Sequence, residues 1–194
     1  AVIGTHSRGA LVGLAAMGGF FLLKARNRFA VLLGAIPVAL VVFFVMPPEW
    51  FERMHTIETY QDDGSAQGRI YAWGNAIEIA NASIFGGGFR AVTGYGGTDS
   101  HSNWFGTLGE LGWIGLVMFV LLHIFTWLSA AQIIRLSKPH KELSWAQDLA
   151  AMIQVSLIGY MSAGSFLGLQ YFDLFYHLIV IVVAVRAFVE REIA

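Results

Sequence analysis

The sequence contains no cysteine, few prolines and few charged residues. Its 194 residues include 0 Cys and 4 Pro, and Asp, Glu, Lys and Arg together make up only 13%. Without cysteine, neither a disulfide framework nor a thiolate metal site can form. The low share of charged residues is far from that of an average soluble globular domain.

Hydrophobic residues are correspondingly abundant, at 56% of the chain with a mean hydropathy of +0.62. These values indicate an integral membrane protein, and we predict an all-α, polytopic fold with about five spans. At a rise of 1.5 Å per residue, most of the apolar segments are about long enough to cross a hydrocarbon layer of ~30 Å. The predicted spans are 9–23, 29–46, 108–131, 149–172 and 174–189.

The predicted spans divide the chain into three parts: 1–46 with two transmembrane helices, 47–107 as a long loop, and 108–194 with three further helices. Basic residues of short loops stay on the cytoplasmic side of a membrane. The basic clusters fall on one side if the five spans alternate; they are Lys24, Arg26 and Arg28, then Arg135, Lys138 and Lys141, then Arg186 and Arg191. The loop 47–107 and the connection near residues 169–173 are therefore expected outside the cytoplasm.

The long loop contains a helical pattern followed by a glycine-rich stretch. After Arg69, apolar residues recur at steps of three or four, which predicts an amphipathic helix along the membrane surface with Arg69 at its N-terminal end; they are Trp73, Ala76, Ile77, Ala80 and Ile84. The stretch "IFGGGFRAVTGYGG" predicts a flexible loop. A phosphate cradle is the weaker interpretation, because no strand precedes it and no Lys stands at P-loop spacing.

A polar cluster adjoins the next apolar run in "TDSHSNWFGTLGELGWIGL", residues 98–116. Its histidine, His101, is either part of a polar helix cap or a proton acceptor, since histidine can be neutral near pH 7. Glu110, inside the apolar edge of the span, is costly there unless it pairs with an arginine such as Arg8 or lies at headgroup depth. By themselves, Arg8 could be an interfacial anchor and Arg69 a loop arginine paired with Asp62 or Asp63.

The order of these motifs resembles the C-terminal half of bacterial O-antigen ligases and polymerases. The resemblance lies in "SRG" at 7–9, "GRIYAW" at 68–73, "IFGGGF" at 84–89 and "SHSNWFGTLGELGWIGL" at 100–116. The stretches "MPPEWFERMHTIETYQDDGSAQGRIYAW" and "GSFLGLQYFDLFYHL" are similar to the exosortase-associated O-glycosylation ligases within that family. Family members are about twice as long and have several spans upstream. Since the chain also begins at Ala1 in an apolar stretch, we expect it to be a fragment of a longer protein.

The resemblance implies transfer of a glycan from undecaprenyl diphosphate to a lipid or protein acceptor on the periplasmic face of the bacterial inner membrane. It implies that Arg69 and Arg8 bind the diphosphate, because a guanidinium stays charged and offers a planar fork of donors. It further implies that His101 is the catalytic base. Asn103 and Glu110 are expected to support the site.

The resemblance also bears on cofactors and partners. The family relies on arginines, so we predict no metal and no other cofactor, although Asp62 and Asp63 form an adjacent acidic pair. The expected partners are the lipid-linked donor, the acceptor, the membrane and a possible membrane-protein complex, but no nucleic acid. A polysaccharide polymerase of the same family and a non-catalytic scaffold subunit remain as alternatives.

Overall fold

The computed structural model describes residues 8–25, 27–45, 48 and 64–194. Within these ranges every regular element is helical, which confirms the all-α prediction for the part of the chain described. The helices are α1 (Arg8–Lys24), α2 (Arg28–Val45), α3 (Gly64–Ala82), α4 (Ala91–Gly96), α5 (Asn103–Ser137), α6 (Ser144–Gly164) and α7 (Asp173–Glu192), with a 3-10 turn at Lys141–Leu143.

Two of the described helices, α2 and α5, are long and apolar enough to cross a membrane, and Leu11–Lys24 of α1 is a shorter apolar helix. A membrane of ~30 Å needs about 20 apolar residues in a helix, and the 35 residues of α5 exceed this length. The count of five spans, the division into three parts and the orientation stay predictions.

Two predicted span boundaries differ from the helices. The span predicted at 108–131 lies inside α5, which starts at Asn103 and ends at Ser137. The span predicted at 149–172 ends too late, because α6 stops at Gly164 and residues 165–172 form a loop. Hydropathy cannot distinguish this loop from a helix, since its sequence "SFLGLQYF" is apolar and uncharged.

The core of the bundle lies where α5, α6 and α7 pack together. Phe175 of α7 is fully buried, and its ring stacks at 3.9 Å on His123 of α5 and at 5.3 Å on Tyr160 of α6. Helix α1 packs on α6 through small residues, because a Cβ on Gly13 would lie only 2.9 Å from the Cβ of Ala163. Such small residues let two helices approach closely.

Helix α3 packs on α5 through a face of small side chains. Ala72 and Ala76 are fully buried, and a Cβ on Gly109 of α5 would lie 3.2 Å from Ala76. The predicted apolar face is wrong at Ile84, which lies beyond the end of the helix, and its position along a membrane surface stays a prediction. Packing against α5 decides the buried face, and alanine fits there better than isoleucine because the backbones are close.

The glycine-rich loop after α3 is bound to a break in α5. The helix is interrupted at Gly112, whose φ of 70° and ψ of −170° are not helical. The Gly87 and Gly88 amides donate hydrogen bonds of 2.9 Å to the carbonyls of Gly109 and Glu110, whose usual helical partners lie beyond the break. The loop predicted to be flexible is therefore fixed by backbone hydrogen bonds, and these glycine amides serve α5 and not a phosphate.

We expect Gly112→Ala to destabilise the protein strongly. An added Cβ would collide with the carbonyl oxygen of Ile84, and the backbone angles of Gly112 are open only to glycine. The angles alone cost roughly 1–3 kcal/mol for another residue. The measurement is the melting temperature in detergent, with Gly74→Ala as the control because a Cβ there meets nothing within 4 Å. An equal melting temperature for the two variants would contradict the described break.

Candidate functional site

A polar segment, residues 98–103, connects α4 to α5 and is held against α3 by a tryptophan. The indole Nε1–H of Trp73 donates a hydrogen bond of 2.8 Å to the carbonyl of Ser100. The same indole stacks on Phe105 in the first turn of α5, with centroids 4.7 Å apart and planes at 10°. Trp73 therefore fixes the polar segment and the start of α5 to the middle of α3.

Arg69 lies on α3 beside this segment. The Thr98 methyl lies 3.6 Å from the position that a Cβ on Gly68 would take, and Trp73 holds Ser100 one helical turn further along. The segment thus passes α3 at the level of Arg69. The Nε of Arg69 is buried and has no hydrogen-bond partner among the described residues. The structure therefore places the helical turn that carries Arg69 beside the polar segment, and the role of Arg69 stays a prediction.

His101 and Asp99 are the exposed residues of the polar segment. The φ of 45° at His101 is left-handed, and its backbone N–H donates to Asp99 Oδ1 at 3.4 Å. The other carboxylate oxygen, Oδ2, lies 3.9 Å from His101 Nδ1, and the histidine side chain is 49% exposed. The ring is thus accessible to a substrate, and the Asp99 carboxylate stands beside it, beyond hydrogen-bonding distance.

The helix-cap interpretation of the polar cluster finds little support in the geometry. Ser102 occupies the N-cap position of α5, but its side chain makes no capping hydrogen bond. Its hydroxyl is buried without a partner among the described residues, and so is the Oγ1 of Thr107 one turn later. Polar groups that are buried and unpaired at a helix N-terminus are costly, unless a ligand or water completes them.

The loop 165–172 covers the start of α5. Asn103, one of the predicted supporting residues, is almost fully buried, and its Oδ1 accepts a hydrogen bond from the Leu169 amide. Trp104 donates from Nε1 to Ser165 Oγ at 3.0 Å. Asn103 therefore supports the packing of this loop, which hydropathy had assigned to a membrane span.

Glu110 is buried at the break in α5, and its carboxylate has two hydrogen-bond donors. The Arg90 amide donates to Oε1 at 2.9 Å, and the Tyr171 hydroxyl donates to Oε2 at 2.6 Å. Burial, followed by this hydrogen bond and the charge of Glu110, raises the pKa of Tyr171 above its ordinary value. The hydroxyl consequently remains protonated and donating. Glu110 thus accepts one hydrogen bond from each of two loops, and the sequence alone does not predict these contacts.

Some predicted residues lie outside the described structure. The backbone of Arg8 begins α1, but its side chain is not described, so its role in the site and its pairing with Glu110 stay predictions. Asp62 and Asp63 also lie outside the described residues. Elsewhere in the described ranges, no group of three or more His, Asp or Glu side chains has the arrangement of a metal site.

Sequence reasoning missed the parts of the site that depend on distant contacts. Asp99 was visible only as a polar neighbour, although an acid two residues before a histidine is a spacing that permits a local turn. The anchoring hydrogen bond of Trp73 and the Tyr171 contact with Glu110 span 27 and 61 residues of sequence. No local sequence pattern predicts hydrogen bonds between residues so far apart in the chain.

The described structure is a helical protein with an arginine, a histidine and its neighbouring acid at one end of apolar helices. A family model described as O-antigen ligase matches residues 1–120, which include Arg69 and the whole polar segment. The chain belongs to the O-antigen ligase family, whose members are glycosyltransferase-like ligases and polymerases, and the resemblance to that family is confirmed. The exosortase-associated branch stays a prediction. No curated protein and no solved structure matches the chain.

Proposed function

We propose that the chain carries the glycosyl-transfer site of an integral membrane ligase. The donor is a glycan on undecaprenyl diphosphate, and the acceptor is a lipid or protein with a nucleophilic hydroxyl or amide. The observation that carries this proposal is the Trp73 to Ser100 hydrogen bond, since it fixes the segment bearing His101 against α3 at the level of Arg69. A permanent cation and a base are the two groups that this reaction needs.

The arginine side of the site suits the diphosphate. A guanidinium presents a planar fork of N–H donors to phosphate oxygens and remains charged at any physiological pH. The neighbouring N-terminus of α5 adds a partial positive charge and amides that no side-chain cap occupies. We assign the diphosphate to Arg69 together with the first turn of α5, and Arg8 is a second candidate ligand.

The histidine side of the site suits the acceptor. In the proposed step, the imidazole of His101 takes the proton of the acceptor hydroxyl as its oxygen attacks the anomeric carbon. The bond from that carbon to the diphosphate oxygen breaks, and its electron pair leaves with undecaprenyl diphosphate, whose charge Arg69 stabilises. Asp99 stabilises the imidazolium. Attack opposite the leaving group inverts the anomeric carbon.

The reaction is placed at the periplasmic face of the bacterial inner membrane. The positions of Lys and Arg in the short connections support this orientation, and the apolar helices α2 and α5 support insertion in the membrane. A polyprenyl donor is itself anchored in the bilayer, so its diphosphate lies at headgroup depth. A site at the end of a membrane helix such as α5 would meet it there.

The test is transfer by the full-length protein in membrane vesicles, with purified undecaprenyl-diphosphate glycan and separate lipid, protein and glycan acceptors. We expect product in the presence of EDTA, because arginines can neutralise the departing diphosphate without a cation. Product on the glycan acceptor alone would identify a polymerase.

Two results would contradict the proposal in different ways. Loss of transfer in EDTA, with recovery on added Mg²⁺ or Mn²⁺, would replace the arginine mechanism by a metal mechanism and point to Asp62 and Asp63. Absence of transfer to every acceptor, by protein that is folded and inserted, would favour a scaffold subunit.

A further inference from the structure

The loop 165–172 lies on the side of the polar segment that faces away from α3. Thr98 contacts α3 at Gly68, whereas a Cβ on Gly168 of the loop would lie 3.6 Å from the Asp99 carboxylate. The two neighbouring side chains thus point to different walls. One wall is α3, with Arg69. The other is the loop 165–172, which lies against the Asp99 carboxylate beside the His101 ring.

The two walls differ in charge. The α3 wall contributes the Arg69 guanidinium, whereas "SFLGLQYF" in the loop contains no ionisable Asp, Glu, Lys, Arg or His. A diphosphate carries negative charge and belongs with the arginine. An acceptor hydroxyl is neutral, and amides and aromatic rings can bind the neutral group that carries it without the desolvation cost of a charge.

The loop offers groups of that neutral kind next to the start of α5. The Gln170 amide lies against Gly106, where an added Cβ would be 2.6 Å from Nε2, and the Oε1 of Gln170 is buried without a partner among the described residues. Tyr171 and Phe172 are each about half exposed. The exposed aromatic rings can stack on a neutral, hydroxyl-bearing ligand, and the unpaired amide oxygen beneath them lacks the donor that a hydroxyl supplies.

One hydrogen bond ties this wall to the helix break. Tyr171 donates to the buried carboxylate of Glu110, which also accepts from the Arg90 amide of the glycine-rich loop. The Tyr171 ring packs at 5.7 Å from the ring of Phe89 in that same loop. The same end of the loop also accepts hydrogen bonds from the Tyr176 hydroxyl, at the Gln170 carbonyl, and from the Tyr160 hydroxyl, at the Leu169 carbonyl. Among these anchors the bond to Glu110 is the one to a charged acceptor, and such bonds are stronger than neutral ones.

We infer that the loop 165–172 is the acceptor-side wall of the site, and that the Glu110–Tyr171 hydrogen bond positions its exposed aromatic end. This inference rests on the proposed function and adds to it the part of the chain that binds a neutral, hydroxyl-bearing acceptor. Tyr171 and Glu110 are positioning residues here, since they act through the loop and not on the reacting atoms.

The experiment is steady-state transfer by the full-length protein in vesicles, with Tyr171→Phe compared with Tyr95→Phe. The first variant removes the hydroxyl and keeps the ring on Phe89, while Tyr95 is 65% exposed on α4 and serves as the matched control. Donor and acceptor are varied separately. We expect Tyr171→Phe to raise KM for the acceptor by roughly tenfold, as for loss of a hydrogen bond to a charged group. KM for the donor and kcat at saturating acceptor should stay at the control values.

The outcomes distinguish failure of this inference from failure of the proposed function on which it rests. Transfer by the unmodified protein with an unchanged acceptor KM in Tyr171→Phe would overturn the loop assignment and leave the proposed function standing. A rise in donor KM, or a fall in kcat with an unchanged acceptor KM, would also overturn it, because the loop would then serve the donor or the chemical step. No transfer by the unmodified, inserted protein would overturn both. A melting temperature in detergent that stays well above the assay temperature for both variants shows that unfolding is not the cause.

Discussion

Replacing His101 by asparagine should lower kcat for glycan transfer by roughly 10²- to 10⁴-fold, the usual contribution of a positioned general base. Asparagine is the better probe than alanine, because His101 has a φ of 45° and asparagine tolerates left-handed backbone angles. The variant keeps a polar side chain just before the N-terminus of α5, but it has no group there that can take up a proton near neutral pH.

A matched histidine on another loop controls for a general effect of losing imidazole. The ring of His140 is also partly exposed and lies 3.2 Å from an acid, Glu142, in the connection between α5 and α6. We expect His140→Asn to retain wild-type kcat. The measurement is kcat at saturating donor and acceptor. A near-normal kcat for His101→Asn in correctly inserted protein would contradict the role of His101 as a base and favour the helix-cap interpretation.

Replacing Arg69 by lysine should weaken the interaction with the donor although the positive charge is kept. A lysine ammonium cannot offer two parallel N–H donors to a phosphate, so the variant loses the bidentate hydrogen-bond geometry and not the charge. We expect kcat/KM for the donor to fall by roughly 10- to 100-fold, as for loss of one charge-assisted hydrogen bond of 1.5–3 kcal/mol. The expected signature is a rise in donor KM, measured at fixed, saturating acceptor.

The control for Arg69→Lys is the same change at Arg135. This arginine is exposed in the last turn of α5, far along the helix from the polar segment. Arg135→Lys should transfer glycan at the wild-type rate. If Arg69→Lys matched it in donor KM, the diphosphate would have to be bound elsewhere, with Arg8 as the next residue to test.

The positions of the helices and of the polar segment could be predicted from the sequence. Apolar runs located the helices, because burial in lipid or in a core requires them, and the polar residues around His101 marked the head of α5. The features that depend on contacts between distant residues could not be predicted. Gly112 breaks α5 because a loop more than 20 residues earlier supplies replacement hydrogen bonds, and the apolar loop 165–172 has the composition of a span.

The candidate site divides in the same way. Arg69 and His101 were identified by residue type and by family motif, and the structure places their segments side by side. The hydrogen bonds that arrange them come from Trp73, Asn103 and Glu110, whose partners lie 20 or more residues away. Glu110 had been expected to need a partner, since a buried carboxylate is costly. That partner proved to be a tyrosine hydroxyl and a backbone amide.

The most direct measurement of the central claim is equilibrium binding of the undecaprenyl-diphosphate donor, without acceptor, to His101→Asn and Arg69→Lys in the same vesicles. The account divides the site into a diphosphate clamp and a base. It therefore predicts that His101→Asn binds the donor with a Kd within about threefold of wild type, whereas Arg69→Lys binds it at least about tenfold more weakly. The reverse order, or equal weakening in both variants, would contradict the division of roles on which the account depends.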